Sequence, residues 1–244
     1  QTVLLWVNDS GKVIQDYLNK YPTDVNKDEL NSLIVNSYIS SKDYQGALHF
    51  LEDNPESEDF LKVAYLRGTQ LFKQQKYTEA KQLFEMAQKK DNPFLAETIF
   101  WHAESDFRLG NYEKALEGFE KFIQTPGAMT SQEYKLIDYH KAYAYFDLKD
   151  YNLAGGHFDR FIESNPDSSE LLSDAYLRLG DCYFSMSNYY KALKPYQLAV
   201  AENNQDADKA SFKIALSQGL LGENDQKIAE LNNLLNTYLR SPLR

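Results

Sequence analysis

Apolar residues along this chain recur at three- and four-residue intervals and almost nowhere alternate, which predicts helices and almost no sheet. One cassette organises the pattern: Tyr-x-x-Ala-x-x-x-aromatic. It occurs as Tyr44/Ala47/Leu51, Tyr77/Ala80/Phe84, Tyr112/Ala115/Phe119, Tyr151/Ala154/Phe158 and Tyr189/Ala192/Tyr196, with Leu51 replacing the aromatic in the first copy. Successive cassette alanines lie 33, 35, 39 and 38 residues apart. Self-similarity at such a period marks stacked supersecondary units that bury a core only against their neighbours.

Each cassette sits inside a longer repeat. Val35, Gly68, Ala103, Ala142 and Gly180 lie twelve residues before the cassette alanines. Small residues at two fixed places predict two helices whose backbones approach closely there. Ile39, Phe72, Phe107, Phe146 and Phe184 come eight residues before the alanine and extend an amphipathic face. Asp43, Lys76, Asn111, Asp150 and Asn188 directly precede the cassette tyrosine. Asp or Asn there can cap a second helix, and Gly110 and Ser187 mark a helix stop just before it.

First helices are therefore predicted over 30–41, 59–74, 96–109, 133–148, 170–186 and 207–221. Second helices are predicted over 44–53, 77–89, 112–124, 151–163, 189–202 and 225–239. Pro55, Pro93, Pro126 and Pro166 follow second helices, where proline cannot extend them.

This pattern resembles the tetratricopeptide repeat family, whose unit is a helix–turn–helix of about 34 residues. The resemblance covers residues 30–240 and rests on five cassettes in register. A sixth copy departs from it: Asp225, Ile228 and Asn232 stand where Tyr, Ala and the aromatic are expected, although Leu231, Leu234 and Leu235 keep a helical stripe. The expected fold is an all-α, right-handed superhelical solenoid, a single array over 1–244. A partial repeat at 11–22 comes first, then clear repeats at 30–55, 59–93, 96–126, 133–166 and 170–204, and a degenerate one at 207–240. The wider spacings predict extended helices or insertions around 124–135 and 163–173. Residues 11–22 read as a second helix lacking its first, and Ser241-Pro242 as the start of a further helix. The expectation is a fragment of a longer array.

In this family the first helices line a concave groove, so the resemblance implies protein or peptide binding there. The groove-facing residues would be Tyr65, Thr69, Phe72, Phe100, Glu104, Phe107, Arg108, Tyr139, Tyr143, Phe146, Leu177, Asp181 and Phe184. The row Phe72, Phe107, Phe146 and Phe184 equally fits packing between repeats. Tyr65, Phe100, Tyr139 and Tyr143 are the better ligand candidates, as large aromatics on an open surface. One subgroup of the family grips a C-terminal carboxylate with Lys, Asn and Arg across three repeats. Here only Asn36 and Arg178 fit such positions, never in one set, and Glu104 and Asp174 would repel a carboxylate. Trp101-His-Ala-Glu-Ser-Asp-Phe-Arg-Leu-Gly-Asn-Tyr112 is similar to the Trp-x-x-Glu phrasing of bacterial cell-envelope members, among them accessory proteins of the Tol–Pal system, outer-membrane assembly lipoproteins and long Bacteroidetes repeat proteins. That likeness implies a periplasmic or envelope-associated scaffold, with a cytoplasmic one as the alternative.

Composition narrows the partners. The formal net charge is −10 and there is no basic stripe, which argues against nucleic acid and anionic membrane and favours basic or apolar ligands. No apolar run is long enough to span a bilayer. Gln1–Val7 is apolar, but it lacks a basic start and a cleavage site. The single cysteine, Cys182, forms no intrachain disulfide and reads as a small buried residue. The histidines, His49, His102, His140 and His157, include no i, i+4 pair. His102 and Asp106 could meet across one turn. Gly155-Gly156 reads as close helix packing, and Asn8-Asp9-Ser10 matches a glycosylation acceptor. No catalytic or cofactor motif is present, so no enzyme activity, cofactor or metal is expected. The expected function is a non-catalytic interaction scaffold. The alternatives are a structural spacer that self-associates through its ends, or the recruiting arm of an enzyme whose catalytic domain lies outside these residues.

Overall fold

The structure is a computed structural model that describes residues 11, 13–21, 26–53, 55, 57–90, 92–164, 169–202 and 206–243. Gln1–Val7, the Asn8-Asp9-Ser10 sequence and Pro166 lie outside the described residues. Among those described there are helices and turns and no strand. The chain divides into two compact units, Gln1–Met129 and Thr130–Arg244.

The first unit holds α1 (13–20), α2 (Lys27–Ser40), α3 (Tyr44–Phe50), α4 (Glu58–Lys73), α5 (Tyr77–Ala87), α6 (Leu95–Arg108) and α7 (Tyr112–Gln124). The second holds α8 (Ile137–Asp147), α9 (Tyr151–Ser164), α10 (Ser169–Ser185), α11 (Tyr189–Ala201), α12 (Ala207–Leu220) and α13 (Asn224–Thr237). Five of the second helices open on the cassette tyrosine. The helix expected from 133 begins instead as a 3₁₀ turn, Glu133–Leu136, and becomes α-helical at Ile137. Within each unit, helices pack on their neighbours in sequence: α2 to α3, then on through α7, and α8 through to α13.

The cassette builds the core. Ala47, Ala80, Ala115, Ala154 and Ala192 are fully buried, as are Phe84, Phe119, Phe158 and Tyr196. Burying each of those aromatic rings contributes roughly 1.5–3 kcal/mol. The small residues of the first helices exist to admit them. A Cβ on Gly68 would lie 2.6 Å from the Phe84 ring, and Gly118 approaches Ala103 so closely that its own Cβ would be 2.6 Å from that of Ala103. Where the cassette degenerates, the packing changes: Ile228, at the alanine position of α13, is 57% exposed, and Leu234 takes the buried place.

Among the described residues, six helix pairs are joined by the same turn. Lys42, Gln75, Gly110, Lys149, Ser187 and Gly222 adopt left-handed backbone, with φ between 58° and 81°. The amide after each donates back across the turn, from Asp43 to the Tyr38 carbonyl and from Glu223 to that of Gln218, at 2.8–3.0 Å in all six. This is the Schellman arrangement, which satisfies carbonyls that a helix end leaves open. Three of the expected caps form: Asp43, Asp150 and Asn188 accept from the amides of Gly46, Leu153 and Lys191. Asn111 does not cap α7. Its amide is drawn to the buried Asp106 carboxylate at 3.0 Å.

Candidate protein-binding surface

The predicted aromatic row makes the same contact in both units. Phe72 meets Tyr77 edge-on at 5.0 Å, and Phe107 meets Tyr112 at 5.5 Å. Phe146 meets Tyr151 at 5.4 Å, and Phe184 meets Tyr189 at 5.2 Å. Each phenylalanine lies three residues before the left-handed residue and packs on the tyrosine that opens the next helix. The row therefore clamps the turn inside its own repeat, edge-to-face at three positions, as ring quadrupoles favour, and tilted at Phe107. Phe72 also touches Trp101 of the following repeat at 5.0 Å.

The remaining first-unit candidates separate by depth. Phe100, expected on an open surface, is 2% exposed and packs among Trp101, Phe119 and Phe122. The α7 rings fill the space above it, so it is core. Glu104 is buried as well, and Nε of the exposed Arg108 donates to it at 2.9 Å. Tyr65 is half-buried and stacks on Phe94 at 4.9 Å, and the Thr69 hydroxyl donates to the Leu66 carbonyl within its own helix. Asp106, also buried, binds Lys81 at 2.6 Å, with His102 at 3.9 Å. Burial lowers the His102 pKa despite that carboxylate.

In the second unit the first helices α8, α10 and α12 are tied by one polar network. Hydroxyls of Tyr139 and Tyr143 both donate to Oδ2 of Asp174, the first at 2.8 Å. Arg178 donates to the Tyr143 oxygen at 3.2 Å and to Asp181 at 3.0 Å. Asp181 further receives the Tyr196 hydroxyl at 2.9 Å and Lys213 at 3.2 Å. Burial, then the charge of Asp174, pushes the Tyr143 phenol up to about 12. Arg178 is held protonated by Tyr143, Asp174 and Asp181 against its own burial. The tyrosine hydroxyls expected as ligand handles are thus occupied, and their rings rest on Phe158 and Phe161. Leu177 is 2% exposed and belongs to the core. Arg178, Lys213 and the Phe184 ring, 5.1 Å from the Lys213 ammonium, stay partly open.

Lys213 and the Tyr196 hydroxyl complete a network of which the sequence placed Tyr139, Tyr143 and Asp181 in the groove and presented Asp174 and Arg178 only as poor clamp residues. The signal available was the helical spacing of Asp174, Arg178 and Asp181. Among the described residues no group of three or more His, Cys, Asp or Glu could hold a metal, and no helix is long and apolar enough to cross a membrane. Cys182 is fully buried, and burial with the nearby Asp181 and Asp159 pushes its thiol up to about 12.

Residues 97–126 and 139–207 each match a tetratricopeptide repeat model. No curated protein matches the chain in sequence. Among solved structures, the chain is similar to a crystal structure of MamA protein, with TM-score 0.61 and 22% identity over 72% of this chain and 90% of that one. It is similar to MamA 41-end from Desulfovibrio magneticus RS-1, with TM-score 0.63 and 15% identity over 75% and 97%. A crystal structure of nearly identical TPR-like repeats of a Podosopora anserina putative kinesin light chain gives TM-score 0.56 and 13% identity over 74% and 97%. At these identities the likeness speaks for the fold alone. Residues 97–126 and 139–207 thus carry tetratricopeptide repeats, and the chain has the all-helical fold of tetratricopeptide proteins.

Proposed function

We propose that the chain is a non-catalytic scaffold that binds a protein or peptide on the face of its first helices, chiefly α8, α10 and α12. The observation that carries this reading is the polar network from Tyr139 to Lys213, which fixes three first helices to one another through named side chains. A surface held this way loses little entropy when a partner docks. The open edge of the network offers Arg178, Lys213 and Phe184 rather than free tyrosine hydroxyls. A ligand with apolar groups beside an acceptor would suit that edge, while the overall charge of −10 favours partners without a large acidic surface.

The test is affinity capture from fractionated lysate with the wild-type chain and a Phe184→Ser/Lys213→Glu variant. A protein retained by the first and lost by the second supports the reading. Equal retention by both overturns this placement of the site. The Trp101–Tyr112 phrase supports a bacterial cell-envelope setting, and the fraction that yields the partner checks it: a cytoplasmic fraction would sink that setting.

A second reading is self-assembly, favoured by the apolar exposure on and after α13: Ile228 at 57%, Leu235 at 40% and Leu239 at 63%. Sedimentation velocity over a concentration series decides it. A concentration-independent monomer removes it.

A further inference from the structure

An open groove of about 780 Å³ runs between α9 and α11, away from the network just described. Residues of α10 form its floor, with Leu179 and Tyr183 beneath Ile162 of α9 and Leu193 and Leu198 of α11. Tyr190, at 74% exposure, and Leu198, at 36%, present apolar surface to water on the α11 side. The two walls carry opposite charge: Asp159 and Glu163 on α9, Lys191 and Lys194 on α11. No ion pair among the described residues joins the walls. The Tyr183 hydroxyl bonds to Asp159, and Lys191 leans over the Tyr183 ring at 6.0 Å.

Two features distinguish this groove from a routine gap between repeats. The corresponding hollow of the first unit, between α5 and α7 over α6, is lined by Lys81, Glu85, His102 and Lys121. It is bridged by Lys81 to Asp106 at 2.6 Å and by Lys121 to Gln88 at 2.7 Å. The Lys121–Gln88 bond spans that hollow from wall to wall, whereas in the α9–α11 groove the one bond, Tyr183 to Asp159, runs from floor to wall and leaves the apolar floor open between two charged rims. Pro195 lies inside α11 and lines the groove. Having no N–H, it cannot donate to the Lys191 carbonyl, so α11 gives up one helical hydrogen bond beside the groove.

We propose that this groove is a second docking site, and that its occupant is an amphipathic α-helix of a partner protein. That helix would carry an apolar stripe on the floor, basic residues along the edge facing Asp159 and Glu163, and acidic residues along the edge facing Lys191 and Lys194. The carboxylates stand four residues apart on α9 and the ammonium groups three apart on α11, so each wall presents charge at the helical repeat. A partner helix with cations along one edge and anions along the other, at the same intervals, pairs with both walls. An enclosed small-molecule site would bury its ligand on most sides. Here the rim is charged and exposed, as a peptide groove requires.

The probes are fluorescein-labelled peptides of about 18 residues, long enough for some five helical turns. One has a leucine stripe with lysines on the edge meant for α9 and glutamates on the other. A second carries lysines on both edges, so that one edge faces Lys191 and Lys194 whichever way the helix runs. A third carries a central proline that breaks the helix. Anisotropy titration against the intact chain is expected to rank the first peptide at least about tenfold above the other two. Tyr190→Ser/Leu198→Ser, both at exposed positions, should weaken it at least about tenfold. Lys191→Glu/Lys194→Glu, which makes both walls acidic, should reverse the preference between the first two peptides. Equal binding of the proline peptide, no binding by any peptide, or binding indifferent to the Tyr190 and Leu198 changes overturns the proposal. So does concentration-dependent association of the chain that Leu198→Ser abolishes, which would make the occupant a second copy.

Discussion

Tyr196 occupies the space that a side chain on Gly180 would need. A Cβ built on Gly180 would sit 2.4 Å from Cε1 of that ring, whose hydroxyl reaches 2.9 Å to Asp181. One contact therefore couples the packing of α10 against α11 to the polar network of the first helices. Gly180→Ala forces ring or backbone to move and should cost about 1–3 kcal/mol. Tyr196→Phe keeps the volume and removes one of the bonds to Asp181, costing about 1 kcal/mol. Urea unfolding of both variants measures this. An alanine variant as stable as wild type would mean that the two helices are not packed at this distance.

Left-handed turns give a second test. Gly222 has φ 81°, and nothing lies within 4 Å of where its Cβ would be. Gly222→Ala thus probes backbone strain alone and should cost roughly 1–2 kcal/mol. Lys149, already a side-chain-bearing residue at φ 63°, should accept alanine with a change of about 0.5 kcal/mol or less. Equal losses at the two positions would contradict the turn geometry.

The Lys81–Asp106 pair should behave as a buried interaction even though the lysine is partly open. The Asp106 side chain is 3% exposed and its neighbours include Asn111 at 3.0 Å. Lys81→Met leaves the carboxylate with the weaker partners and should destabilise by about 2–4 kcal/mol. A double-mutant cycle with Asp106→Leu should return a coupling of about 1–3 kcal/mol. A coupling near zero would place the pair among ordinary surface contacts.

Stability should be lost on the alkaline side. The Tyr143 phenol rises from 10.0 to about 12 on folding, and the Cys182 thiol from 9.0 to about 12. Burial also raises Tyr139, with Tyr143 next in weight, and Tyr196, with Asp181 next. An acid whose folded-state pKa is raised gives stability that is full below its unfolded value and lost as pH climbs to the folded one. The unfolding midpoint should therefore stay level to pH 9 and fall between 9 and 12. Tyr143→Phe should flatten part of that fall. A thiol reagent should modify Cys182 only after unfolding, and fast labelling of the native chain would refute its burial.

The helices were legible because their signals are local. Cassette spacing, the residue before each tyrosine and the prolines all act within one or two turns of chain. Depth and partnership were not legible in the same way. Phe100 sits on a helix face like that of Tyr139, yet Phe119 and Phe122 of the next helix cover it. Tyr139 and Tyr143 look like exposed hydroxyl handles until Asp174 is placed between them by the rotation of α10. Those outcomes depend on the phase of one helix against another, which the pattern along a single helix leaves open. The α9–α11 groove did leave a trace: Tyr190, Leu198 and a mid-helix proline on one short helix.

Because each helix leans mainly on the ones beside it in sequence, the chain closes only short loops as it folds. Loop entropy grows with separation, so such topologies form quickly and can nucleate at any helix pair. The strongest nucleus should lie where a large ring meets a glycine across a single turn, as at Phe84 with Gly68 and Tyr196 with Gly180. Amides of α5 and α11 would then be the slowest to exchange with solvent, and those of α13, whose alanine position holds an exposed isoleucine, the fastest among the second helices.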